Sequence, residues 1–190
     1  MFLVSQNIDS YDVQLPKNSV FRINLAWCNN LDELESKLKK HRDVEFFIDL
    51  PIGRIKPPNN RYTLDEIAPL IKNYSNIKYF AVSNVESKSD LEPFLEKLPP
   101  KLNIVPKIES PSAVENINEI CNTLQTENKI VMLDHDDLFS SIIRKNENEE
   151  SFQKYIKKLV DYCSENNISL LRTVGVVFSD DEKRTTQYIK

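Results

Sequence analysis

Short apolar runs, rich in β-branched and aromatic residues, recur along the chain at 2–5, 20–27, 44–50, 77–82, 102–108, 129–133 and 168–177. Between most of them the apolar positions change to a spacing of three and four, at 31–41, 63–74, 90–98, 113–124 and 149–165. Continuous apolar character suits a strand buried on both faces, and the wider spacing suits a helix with one buried side. The alternation predicts a parallel sheet covered by helices. Start signals agree with it. Asn30 precedes LDELESKLKK with acids in the first turn, Thr63 opens a T-L-D-E capping-box pattern, and Pro111 stands where a first-turn proline belongs.

Seven strands in one unbroken series favour a (β/α) TIM-type barrel over an open sheet. A complete eightfold barrel takes about 250 residues, with about 200 near the floor, and this chain has 190. The expectation is a short or incomplete barrel of about seven strands, forming one domain over 1–190. IDSYDVQLPKN, after the first strand, looks too short for a covering helix, and SDDEKRTTQYIK at the end lacks the apolar content for an eighth strand and helix. An incomplete barrel exposes unpaired strand edges at its seam, which a second copy or a partner chain would cover. NENEE, at 146–150, reads as a solvated loop leading into a helix.

Charge and composition narrow the function. Lysine and arginine total 25 against 29 acids, a net charge of −4, which offers no electrostatic footprint for nucleic acid or an anionic membrane. No apolar run approaches the ~20 residues of a membrane span. The start MFLVSQNIDS has neither a basic leader nor a small-residue cleavage site, so a cytoplasmic protein is expected. Cys28, Cys121 and Cys163 are odd in number and far apart, with no CxxC. They read as buried thiols in a reducing compartment. Glycine is scarce: there are two, where ~7% usage would give about thirteen. Glycine-rich phosphate loops are therefore absent, and any anion must be held by side chains, a metal or a few amides at strand ends.

Polar residues that interrupt apolar strands near their C-terminal ends are the candidates for chemistry, because α/β active sites assemble there. Arg22 and Asn24 are spaced by two and so point the same way; Lys107 and Glu109 do likewise. Asp49 ends the third strand, the sixth runs into Asp134-His135-Asp136-Asp137, and the seventh carries Arg172 and Thr173. Closure of the sheet would bring these groups to one mouth. Glu109 and Asp137 offer hard oxygen ligands for Mg²⁺ or Mn²⁺, with Asp134 and Asp136 competing for the second place. An ion so held would grip a 2-oxo acid and stabilise an enolate, with lysine and arginine neutralising the remaining charge. His135 reads as a loop residue.

FRINLAW, FFIDLPIGRIK, FAVSNV, IVPKIESPSAVENINEI, IVMLDHDDL and ISLLRT occur in an order that resembles pyruvate kinase, over roughly 21–173. The resemblance implies the barrel of the phosphoenolpyruvate/pyruvate superfamily. It makes Lys107 the active-site lysine, Glu109 and Asp137 the divalent-metal ligands, and Thr173 the threonine near the proton-transfer step. Arg22 and Lys56 match phosphate-contacting arginines, and Asn24 and Asp49 match ligands of a monovalent cation. Ala26 and Leu50 replace that cation's other ligands, so K⁺ is not expected; Arg54 stands where K⁺-independent members keep a lysine. Asp136 replaces the glycine before the metal aspartate, and His135 replaces an arginine. The lid between the third strand and third helix shrinks to about 57–62 and the C-terminal domain is missing, so transfer of phosphoryl to ADP is not expected. IESPSAVEN followed by DDLFSS is similar to the citrate lyase β-subunit and hydroxy-acid aldolase branch, which implies carbon–carbon lyase chemistry. The alternative expectation is a catalytically inactive barrel acting as a binding or assembly protein.

Overall fold

The computed structural model describes residues 2–4, 18–53, 58–177 and 184–189. Eight strands form one sheet in chain order. β1 (Phe2–Val4), β2 (Ser19–Asn24), β3 (Glu45–Leu50), β4 (Ile77–Val82), β5 (Asn103–Ile108), β6 (Ile130–Leu133) and β7 (Ser169–Val177) are parallel, each to the next. The helices are α1 (Leu31–Lys40), α2 (Leu64–Asn73), α3 (Glu92–Lys97), α4 (Pro111–Glu115), α5 (Ile117–Thr123), α6 (His135–Arg144) and α7 (Ser151–Glu165). The architecture is an incomplete α/β barrel, as the alternation of periods predicts. No helix among the described residues is long and apolar enough to cross a membrane.

The eighth strand corrects the sequence reading. Residues 184–189 form β8 (Arg184–Ile189), which pairs antiparallel with β7 from Arg172↔Ile189 to Val177↔Arg184 and also runs beside β1. No ladder register joins β8 to β1 among the described residues. A hairpin return needs ladder hydrogen bonds and β-formers such as Thr185, Thr186 and Tyr188 more than it needs a continuous apolar run.

Strand parity sorts the side chains into an interior and a helix-facing shell. Leu3, Val20, Phe47, Ala81, Val105, Ile130, Met132 and Leu171, one or two from each parallel strand, pack into a single buried cluster. These fill the lower part of the barrel. The opposite parity, including Phe46, Ile48, Phe80 and Ile104, packs under α1 to α3. Ile108, Val131, Leu133 and Leu170 pack under α4 to α7. Pro106 has no N–H to give, and the β5–β6 ladder begins one residue later, at Lys107↔Met132.

Local signals explain most element starts. The Asn30 side chain accepts from the Glu33 N–H, Thr63 and Glu66 form the expected capping box, and Ser110 caps the helix begun by Pro111. Three boundaries differ from expectation. β2 stops at Asn24, whose side chain accepts from the Ala26 N–H and turns 25–27 into a 3₁₀ turn. Asn116 divides the helix expected at 113–124, its amide donating to the Glu86 carbonyl. The expected helix at 90–98 is shortened to α3 behind a 3₁₀ turn. α6 is not among the helical stretches that the spacing predicts, and it places His135, a half-buried residue, at its first position rather than in a loop. Cys121 and Cys163 are buried thiols, but Cys28 is only half-buried.

Candidate functional site

On the inward parity, β2 to β6 change from apolar to polar as they rise. Val20 gives way to Arg22 and Asn24, Phe47 to Asp49, Ala81 to Ser83, Val105 to Lys107 and Glu109, and Met132 to Asp134. The result is a charged layer resting on the apolar plug. Asp49 is fully buried, and Lys107 and Glu109 are 5% and 6% exposed.

Lys107 forms an ion pair with Glu109 Oε1 and lies 3.6 Å from Asp134 Oδ2. Burial by itself would lower the lysine pKa, but the Asp49, Glu109 and Asp134 carboxylates outweigh it and hold the ammonium well above its ordinary range. Burial pushes the Glu109 carboxyl up, against the pull of Lys107. Its second oxygen, Oε2, accepts the Asn84 N–H at 2.7 Å. Asn84 adopts a left-handed conformation (φ 56) that aims this N–H, and its side chain donates to the Ile52 carbonyl at 2.6 Å. Gly53, beside that carbonyl, also has positive φ (73), and a Cβ there would meet the Asn84 amide nitrogen at 3.1 Å.

α6 supplies the remaining acids. Asp134 is its N-cap, accepting from the Asp137 N–H at 3.3 Å. Carboxylate oxygens of Glu109, Asp134 and Asp137 all lie within 4.8 Å of one another. Lys107, Glu109 and Asp137 line a cleft of about 280 Å³ at the strand ends, together with Ser83, Asn84, Ser140 and Arg144. The Ser83 hydroxyl there is buried and has no hydrogen-bond partner.

Half-buried Arg22 and Asn24 close round the fully buried Asp49 beside this cleft. Arg22 pairs with Asp49 Oδ2, with Nε at 3.1 Å, and Asn24 donates to the same oxygen at 3.4 Å. Asp49 Oδ1 has no partner. Arg54 and Lys56 lie outside the described residues, and Thr173 belongs to β7 with its side chain outside what is described. Arg172 faces away from the interior, with Nη2 3.4 Å from His135 Nε2. Burial, and after it the Arg172 charge, lower the His135 pKa against the pull of Asp134 and Asp136. The cluster includes Asp134, which sequence alone left in competition, and excludes Asp136. Ser83, Asn84, Ser140 and Arg144 were not anticipated. Ser83 could have been found by continuing the inward parity of β4 past its last apolar residue.

The donor set fits a divalent cation. Three carboxylates share one nearby ammonium, carboxylate oxygens each have more than one lone pair, and hard cations take such oxygens.

Solved structures of other proteins are similar to this chain, two of them as follows. One is RipC from Yersinia pestis, with a TM-score of 0.57 and 16% identity over 86% of this chain and 72% of that one. The other is the HpcH/HpaI aldolase from Desulfitobacterium hafniense DCB-2, with a TM-score of 0.59 and 13% identity over 80% of this chain and 66% of that one. The likeness is one of fold. This chain spans roughly two thirds to three quarters of their lengths. No family model matches the sequence, and no curated protein matches it.

Proposed function

We propose that the chain holds Mg²⁺ or Mn²⁺ through Glu109 and Asp137, with Asp134 adjoining, and binds a 2-oxo acid of the pyruvate or enolpyruvate class beside it. The observation that carries this reading is the convergence of Lys107, Glu109 and Asp137 on one cleft at the strand ends, with Asp134 within reach of all three. The bound ion would supply Lewis-acid polarisation of the ligand's carbonyl.

The chain's own residues do the rest. Lys107 is a fixed ammonium at the cleft wall, charged across the accessible pH range, and it offsets negative charge that develops on an enolate oxygen. Arg22, oriented by Asp49, adds positive potential at the rim. Asn84 holds the Glu109 carboxylate in place through its backbone N–H. The apolar plug below closes the barrel floor to water. Lyase-type carbon–carbon chemistry suits this arrangement, and the fold likeness to a protein described as an aldolase supports it. Phosphorylation of ADP is not part of the reading, because only residues 51–63 separate β3 from α2 and leave no chain for a lid.

Titration calorimetry of oxalate, an enolpyruvate mimic, in the presence of Mg²⁺ tests the reading. Binding to the wild type that is lost in Glu109→Gln is expected; a wild type that binds neither Mg²⁺ nor oxalate would remove it.

A further inference from the structure

α6 presents Asp137, Ser140 and Arg144 to the same cleft. Their spacing of three and four puts them on one helix face, and seven residues at ~1.5 Å each separate the ends of the stripe by about 10 Å. One end belongs to the acidic cluster. The other end is a guanidinium that forms no hydrogen bond or ion pair among the described residues. Its neighbour Lys145, by contrast, donates to Ser112 Oγ at 2.8 Å and approaches Glu86 at 4.0 Å. The lysine of the cleft, Lys107, is already taken by Glu109. Among the described residues, Arg144 is therefore the cleft's cation without a protein carboxylate, and the described Pro51, Ile52, Gly53, Ser83, Asn84 and Ser140 complete the lining without charge. Ser83, whose buried hydroxyl has no hydrogen-bond partner, also lines the cleft.

We propose that Arg144 is a specificity-determining residue that takes a second anionic group of the substrate, carboxylate or phosphoryl, distal to the 2-oxo acid end. This rests on the preceding reading, because it needs the oxo-acid end to be anchored at the acidic cluster. The substrate class is then a 2-oxo acid with an ω-anionic group, rather than pyruvate itself. A guanidinium offers paired donors that match a carboxylate or phosphoryl. It also counters the repulsion that a second negative charge would meet near Asp137.

Titration calorimetry at saturating Mg²⁺ tests it with four probes: oxalate, pyruvate, 2-oxoglutarate and 3-phosphonopyruvate. At least one dianionic oxo acid should bind about tenfold more tightly than pyruvate, the discrimination of one charge-assisted pair at a partly open site. The carboxylate and phosphoryl probes distinguish the two sources of the distal charge. In Arg144→Gln the ratio should fall to near one, and Arg144→Lys should restore part of it. Equal affinities in the wild type, or a preference that survives in Arg144→Gln, would overturn the assignment of Arg144. Failure of oxalate as well would instead overturn the metal and oxo-acid reading beneath it.

Discussion

Two layers of the same barrel interior, a few ångströms apart along the same strands, obey opposite rules. The lower layer, around Val20, Phe47, Val105, Met132 and Leu171, is apolar and closed. The upper layer, around Arg22, Asp49, Ser83, Lys107 and Glu109, is charged, buried and incompletely satisfied, with Asp49 Oδ1 and Ser83 Oγ lacking partners. Both layers lie on one strand parity, so secondary structure does not distinguish them. Burial of apolar area makes the lower layer stabilising. Buried ions and orphaned polar atoms make the upper layer costly unless something else compensates, which is the behaviour of a site.

The largest expected effect belongs to the lower layer. Phe47 is fully buried and stacks on Tyr79 with ring centroids 6.0 Å apart. Phe47→Ala should lower the unfolding free energy by about 3–5 kcal/mol in denaturant titration. A loss below about 1 kcal/mol would mean that the plug is not the packed floor described.

Lys107→Met should come next, at about 3 kcal/mol, because it leaves the carboxylates around it buried without their cation. Its pH dependence sharpens the contrast. Lys107 is a strong influence holding the Glu109 carboxyl down against burial, so its removal lets that pKa climb further above the unfolded value. A carboxyl with a raised folded pKa binds its proton more tightly in the folded state, so stability is greatest below the unfolded pKa and falls as pH rises through the folded one. The deficit of Lys107→Met should therefore shrink below about pH 4 and widen toward neutrality. Phe47→Ala should show no such trend. In the wild type, the raised Lys107 pKa means that its contribution is complete below its ordinary value and is lost only in strong alkali.

Asp137→Asn should reduce Mg²⁺ or Mn²⁺ affinity by about tenfold or more with little change in stability. Asp136→Asn should leave it unaltered, since Asp136 is exposed and outside the acidic cluster. Asp134→Asn separates two roles: asparagine caps a helix as well as aspartate does, so α6 should persist while cation affinity falls. The reverse ranking of Asp136 and Asp137 would relocate the site.

Much of this contrast was legible in the sequence. Period-two spacing within an apolar strand places Lys107 with Glu109 and Arg22 with Asn24 wherever the strand lies, and the alternation of periods places all of them at one end of a barrel. The eighth strand was hidden because a hairpin return is held by backbone ladders and carries little apolar signal. α6 was hidden by its own start: three acids and a histidine after β6 read as a cluster of candidates, and the N-cap bond from the Asp137 N–H to Asp134 is a fact of geometry. Arg144 followed from that omission. A cation two turns along an unanticipated helix has no place in a sequence reading, although the helix brings it to the cleft of Lys107.

The smallest expected effect is the one that most directly asks what the upper layer is for. Ser83 is 8% exposed, and its hydroxyl lacks a partner. If the upper layer were merely structural, an alanine there would cost whatever packing the oxygen provides. If it is a site, Ser83→Ala removes an unsatisfied buried group and should raise stability by up to about 1 kcal/mol in the ligand-free protein. The same change should weaken oxalate binding in the presence of Mg²⁺, because the hydroxyl is then missing from the cleft wall. Chemical denaturation and calorimetry on the one variant measure both quantities. Opposite signs would place Ser83 with the charged rim, whereas a loss of stability with unaltered binding would return it to the packed layer below.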